Sequence, residues 1–243
     1  MLPSPPLTAL RDLDGQLQSA GFAVLDSANV SASAGVTPAQ LRAWQPHWDD
    51  LPFDEYLLDD GKYRRRRFGA FVVEEAKVEV VPDRPHWQSA DYNALHGGIE
   101  RWFQPLPDAL VRDSNWHALL RALAQHASVL RGPQPWFVEA HTFRIEATGG
   151  IGRPTPEGAH RDGVDLVAVL MVDRHNILGG ETRVFDIRGP QGMRFTMAEP
   201  WSALLLDDER VIHESTPIRP LQPGQPAWRD TLVLTLRQQG FQA

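Results

Sequence analysis

Two periods divide this chain. In its N-terminal part apolar residues recur at helical spacing, and from Trp136 onward they fall into short alternating runs. Leu10, Leu13 and Leu17 predict a helix within 7–19, and GFAVLD (21–26) a short strand. Residues 27–36, rich in Ser and Ala, are read as a loop. Thr37-Pro38 then has the cap and first-turn proline of a second helix, which carries Leu41, Trp44 and Trp48 into the core. The β-branched and aromatic residues of 63–81 favour strands. Arg64 and Arg66 point one way there and Arg65 and Arg67 the other, so one pair can enter a site. Trp116, Leu119, Leu120, Leu123 and Ala127 make 115–130 an amphipathic helix, with His117 and His126 as packing residues.

After this helix, runs at 136–147, 164–173, 181–187, 193–197, 201–207 and 229–237 predict strands separated by Gly/Pro loops. Their length and spacing indicate a β-sandwich or jelly roll rather than βαβ units. Residues 148–159 (TGGIGRPTPEGA) are read as a mobile loop that becomes ordered over a bound substrate. The expectation is an α+β, mainly β, single domain over 1–243, with 1–135 a helical and strand elaboration and 136–240 the β core.

Composition narrows the function. A chain of 243 residues that is 42% hydrophobic can bury a sizeable core. Its net charge of −7 argues against a nucleic-acid binder, which needs a broad basic surface. The absence of cysteine excludes disulfides, thiolate metal sites and cysteine nucleophiles. No apolar run approaches the roughly 20 residues that span a bilayer, and MLPSPPLTAL lacks the regions of a secretory signal. A cytoplasmic protein without a membrane partner is the plain expectation.

The chemistry concentrates between His160 and Arg229. His160 and Asp162 lie two residues apart, so on an extended segment they face one point, and His213 can bring a third ligand from a later strand. Two neutral imidazoles and one carboxylate with open positions form the facial triad of non-haem Fe(II) oxygenases. Arg229 and Thr231 share a face of the last strand. A buried guanidinium there needs a permanent anionic partner, and its planar fork binds a carboxylate bidentately. Arg219, flanked by Pro217 and Pro220, is the weaker rival for that task. Arg144 is the candidate for a second carboxylate, against the alternative of a cross-strand ion pair. Asp207, Asp208 and Glu209 are read as solvated acids in a turn, and His175 as a loop residue.

An HxD, a distant His and a following RxT together resemble the Fe(II)/2-oxoglutarate-dependent dioxygenases, as does the Gly179-Gly180-Glu181 turn between them. YRRRRFG (63–69), YNALHGGIERWF (92–103), EAHTFRIEA (139–147), PEGAHRDG (156–163) and NILGGETRVFD (176–186) resemble the bacterial 2OG-Fe dioxygenase family that includes free L-isoleucine hydroxylases. The likeness runs from about Gly21 onward, and only through it are Tyr92, Asn93 and His96 of interest. It implies a double-stranded β-helix core and Fe(II) on His160, Asp162 and His213. It further implies 2-oxoglutarate on Arg229 and Thr231, O2 as oxidant, ascorbate as reductant in vitro, and hydroxylation of a small substrate such as a free L-amino acid. Rival readings are the same chemistry on a larger or carrier-tethered intermediate, and a cupin-like binding protein without turnover. A zinc hydrolase is weakened because no Glu is placed with the HxD as an obvious base.

Overall fold

The structure is a computed structural model and describes residues 4–57, 62–82, 84–93, 95 and 97–242. A 3-10 turn at Leu10–Asp12 leads into α1 (Leu13–Ala20), followed by β1 (Phe22–Leu25). The segment expected as a loop at 27–36 contains a helix instead, α2 (Ser27–Ala34). Asp26 caps it by accepting a hydrogen bond from the Asn29 amide, and Val30, Ser31 and Ala34 form its buried stripe. A face built of small residues carries little apolar periodicity, yet it fits closely against a neighbouring helix. α3 (Pro38–Ala43) opens on Thr37 and Gln40, which cap reciprocally, and a 3-10 turn at Gln45–Trp48 follows.

β2 (Arg64–Glu74) and β3 (Lys77–Val81) form a hairpin, and α4 (Asp108–Val111) precedes α5 (Ser114–Arg131). The remaining strands are β4 (Trp136–Glu146), β5 (Leu166–His175), β6 (Ile177–Gly179), β7 (Thr182–Asp186), β8 (Gly192–Phe195), β9 (Ala203–Asp207), β10 (Val211–Ser215), β11 (Ile218–Pro220) and β12 (Trp228–Arg237). Four of them join β1, β2 and β3 in one seven-stranded antiparallel sheet, in the order β1-β9-β5-β12-β4-β2-β3. The smaller ladders β10-β7-β8 and β11-β6 lie opposite, and a bridge between His160 and His213 adds the chain around His160 to that layer. This is a double-stranded β-helix, or jelly roll. The strands before residue 136 are part of its large sheet.

The large sheet has two different faces. Leu232, Leu234 and Leu236 of β12 are fully buried with Leu13, Trp48 and Trp116 of the helical layer. Arg229, Thr231, Val233 and Thr235 alternate with them and line the cavity between the two β layers. Val167, Leu204 and Leu206 pack against Val184, Phe195 and Val211 to close the far end of that space. Trp44 meets Trp116 and Trp201 edge-on at 5.5 and 5.7 Å, and the Trp48 indole donates to the Thr231 carbonyl at 3.1 Å. Residues 148–159 are tied to the small layer: Gly152 exchanges backbone bonds with Ile218, and the Thr155 hydroxyl donates to the Ser215 carbonyl and accepts from the Ser215 amide. Among the described residues no helix is long and apolar enough to cross a membrane.

Because Trp48 fills the space beneath the cavity floor and has no exposure, Trp48→Ala is expected to destabilise the fold by about 3–5 kcal/mol. A urea titration reads this as a lower midpoint at unchanged slope.

Candidate active site and metal centre

His160 and His213 face each other because their backbones pair, each amide donating to the other's carbonyl at 3.0 Å. The His160 Nδ1 bonds the Gly158 carbonyl at 2.9 Å, which leaves Nε2 as the free ligand atom. That atom lies 3.9 Å from Asp162 Oδ1, and His213 Nε2 lies 3.8 Å from Asp162 Oδ2. The three donors thus surround one point. Burial, and then the charge of His160, push the His213 imidazole down to about 4, so it is neutral at physiological pH. Burial also opposes charge on His160, but Asp162, Glu157 and the Gly158 carbonyl outweigh it and raise that pKa above its ordinary value. A proton on His160 occupies the field that a cation would fill.

The turn carrying Asp162 is fixed by a residue that the sequence reading left in solvent. Asp208 is completely buried, and its carboxylate accepts from the amides of Asp162, Gly163 and Val164 at 3.0, 2.8 and 3.2 Å. Burial and the nearby charge of Asp162 raise its pKa to about 7. Asp207 is also buried and takes an ion pair from Arg131 at 2.6 Å; only Glu209 keeps an exposed side chain. Gln88 donates to Asp162 Oδ1 at 3.2 Å, and Asn93 holds Gln88 through its amide oxygen. Gly163 has a φ of 75°, and a Cβ there would lie 2.5 Å from the Tyr92 ring. Gln88 and Asp208 carry no motif signal; their roles arise only from the folded loops.

The other end of the cavity is cationic. Arg229 is 4% exposed, its Nε has no partner, and burial beside Arg174 lowers its pKa to about 10, still charged at neutral pH. Thr231 lies beside it on β12, and a Cβ at Gly180 would lie 3.8 Å from the Arg229 Cδ. Arg219 is exposed on β11 and does not reach this space.

Arg144, expected to meet a substrate carboxylate, lies on the opposite face. It makes bonds of 2.8 and 2.7 Å to Asp230 and one of 3.2 Å to Asp49. Strand alternation is the reason: His141, Phe143 and Ile145 of β4 line the cavity, so Arg144 cannot. Of the arginine run, Arg64 and Arg66 enter, while Arg65 and Arg67 bond on the outer side. Arg101 also enters, and the sequence reading did not single it out. His175 stacks on Trp228 outside the site. His96 lies outside the described residues.

His86, Glu139 and His141 form a second group of metal-ligating type in the same cavity. Its surroundings argue against a metal: Arg84 holds Glu139 at 2.6 Å, Arg66 approaches His141 Nδ1 at 2.6 Å, and burial, with the charges of Arg66 and Arg101 added, lowers both imidazoles despite the pull of Glu139 on His86.

A divalent ion must displace the His160 proton but none from His213 above about pH 4. Its affinity is therefore expected to rise with pH, with one proton released per ion from His160 below and through its raised pKa. Calorimetry with Ni(II) in buffers of different ionisation enthalpy checks the count. Asp208→Ala should weaken the same ion by about 10–100-fold, because the turn bearing Asp162 loses its anchor.

A family model described as 2OG-Fe dioxygenase matches residues 45–235. A solved bsmA homologue (Mpe_A2762) from Methylobium petroleophilum PM1 is 49% identical over 100% of this chain and 98% of its own, with a TM-score of 0.93. IDO from Bacillus thuringiensis is 17% identical (97% and 100% covered, TM-score 0.76), and the Fe(II)/(alpha)ketoglutarate-dependent dioxygenase TqaL is 21% identical (94% and 86% covered, TM-score 0.73). These last two share the fold. A search of curated proteins found no match. With the family match spanning both walls of the cavity and His160, Asp162 and His213, the chain belongs to the 2OG-Fe dioxygenase family, whose members use Fe(II), 2-oxoglutarate and O2.

Proposed function

We propose that this protein hydroxylates an unactivated C–H of a free L-amino acid, with Fe(II) on His160, Asp162 and His213 and the 5-carboxylate of 2-oxoglutarate on Arg229 and Thr231. The observation that carries this reading is the unpartnered, 4% exposed guanidinium of Arg229 in the cavity that also holds the triad. A buried cation without an anion is costly, and a diacid whose other end binds the metal satisfies it. The donor set fits Fe(II): two imidazoles and one carboxylate, all on one side. Bound Fe(II) with 2-oxoglutarate and O2 supplies the oxidation, in which 2-oxoglutarate becomes succinate and CO2 and the substrate C–H becomes C–OH.

The chain's own residues perform the remaining work. Asp208 and Gln88 hold Asp162 in place, and the Gly158 carbonyl fixes the tautomer and orientation of His160. Phe143, Val169 and Val233 give the cavity an apolar wall against which a hydrocarbon side chain can rest. Buried charges of both signs, Arg101 and Glu157, suit a small zwitterion.

With Fe(II), ascorbate and labelled 2-oxoglutarate, a screen of free L-amino acids should find members that stimulate succinate formation. Asp162→Ala and His213→Ala should abolish it, and unchanged turnover in either would remove the site assignment. Arg229→Ala should raise the KM for 2-oxoglutarate on the order of 100-fold, the loss of a charged hydrogen-bonded pair.

A further inference from the structure

Three further guanidiniums, those of Arg64, Arg66 and Arg101, line the same cavity as Arg229, with Arg64 and Arg66 two strands from β12 across the large sheet. Their surroundings differ. Arg64 bonds Asp54 at 2.7 Å. Arg66 lies 3.7 Å from that carboxylate, donates to His141, and stacks over Phe103 and Phe143 with its charged carbon 3.8 and 4.5 Å from the ring centres. One buried acid thus serves both. Arg101 is 2% exposed, and neither its Nε nor its Nη2 has a hydrogen-bond partner. The acids whose fields reach it, Asp54, Glu139 and Glu157, form no ion pair with it among the described residues.

Glu157 is the complementary orphan. Its Oε1 lies 3.4 Å from His160 Nε2, while its buried Oε2 has no partner. It lies on the metal side of the cavity, three residues before the first ligand. A cation and an anion buried in one small space without bonding each other define a ligand that carries the opposite pair.

We infer that Arg101, assisted by Arg66, receives the substrate's carboxylate, and that Glu157 receives its ammonium, so that the enzyme selects unblocked α-amino acids by their charges. The inference rests on the amino-acid reading above and adds the residues that enforce it. Glu157 then holds the amino end beside His160, and the carboxylate is drawn toward the arginine wall. The side chain is left to the apolar wall of Phe143, Val169 and Val233. Fe(II) and 2-oxoglutarate make no demand on either residue. Selection by two desolvated charges is strong because an analogue lacking one leaves a buried partner unpaired.

The test uses the amino acid that most stimulates succinate formation, together with its primary carboxamide and its 2-hydroxy acid, which remove one charge each. KM values are compared for the wild type, Arg101→Gln and Glu157→Gln. The wild type should prefer the amino acid to either analogue by about 100-fold, the range of a charge-assisted hydrogen bond. Arg101→Gln should reduce the preference over the carboxamide to less than about 10-fold while keeping that over the 2-hydroxy acid, and Glu157→Gln should do the reverse. A second readout needs no turnover: Tm of the substrate-free Arg101→Gln protein should equal or exceed that of the wild type, because an unpaired buried charge has been removed. Variants that weaken all three compounds equally, or a lowered Tm with the acid preference intact, would overturn the clamp and leave the amino-acid reading standing. If no free amino acid stimulates the wild type, that reading fails and the clamp fails with it.

Discussion

The period-two alternation of β12 is the constraint on which the rest of this molecule depends. Its even residues from Leu232 to Leu236 are fully buried under the helices, and its odd residues from Arg229 to Thr235 face the cavity. β12 is the central strand of the large sheet, paired along its length with β4 and β5, so its register fixes theirs. A slip by one residue would put three leucines into the cavity and a guanidinium among tryptophans. The cost of that exchange keeps Arg229 on the ligand side. The same parity, carried across the ladder, puts His141 inside and Arg144 outside.

The end of the cavity formed by His160, Asp162 and His213 is held by a different device. His160 lies outside the named strands and reaches His213 through a two-bond bridge, so the triad spans a loop and the small sheet. Such a loop has few ladder bonds to keep it in place. Asp208 compensates by collecting three successive amides on one buried carboxylate, and Gln242 donates to the carbonyls of Asp162 and Gly163 from the far end of the chain. The ligand turn is therefore pinned from both sides by groups that do not themselves meet the ion. A buried carboxylate is tolerated here because backbone donors satisfy it.

What was legible in the sequence follows from how local each signal is. RxT places two side chains on one face by strand geometry alone, whereas HxD lies on a bridge and turn outside the named strands, and both pairs line the cavity. Six of the nine strands from Trp136 onward were legible from the same alternation, whereas β6, β10 and β11 lay outside the predicted runs, β6 and β11 being too short to show a period. Parity along β2 and β4 could be read, but not which parity faces inward, since that depends on the partner strands; Arg144 was assigned to the wrong side. The helix at Ser27–Ala34 was hidden because alanine and serine carry no apolar period, its cap and its packing surface being the real determinants. Asp208, Gln88 and Arg101 act through loops that approach from distant parts of the chain. No spacing rule links them to the residues they serve.

The cavity holds two groups with the ligand types of a metal site, and electrostatics separates them. Around His160, Asp162 and His213 the neighbours are acids, Glu157 and Asp208, and the effect is to raise the affinity of His160 for a proton. Around His86, Glu139 and His141 the neighbours are Arg64, Arg66, Arg84 and Arg101, and burial together with these cations lowers both imidazoles. Burial lowers His213 as well, to about 4, so what separates the two groups is the sign of the charges around them, acids at one and guanidiniums at the other. The field therefore runs from a cation-accepting end to an anion-accepting end within one cavity. A zwitterion aligned along it would have its ammonium toward Glu157 and its carboxylate toward the arginines.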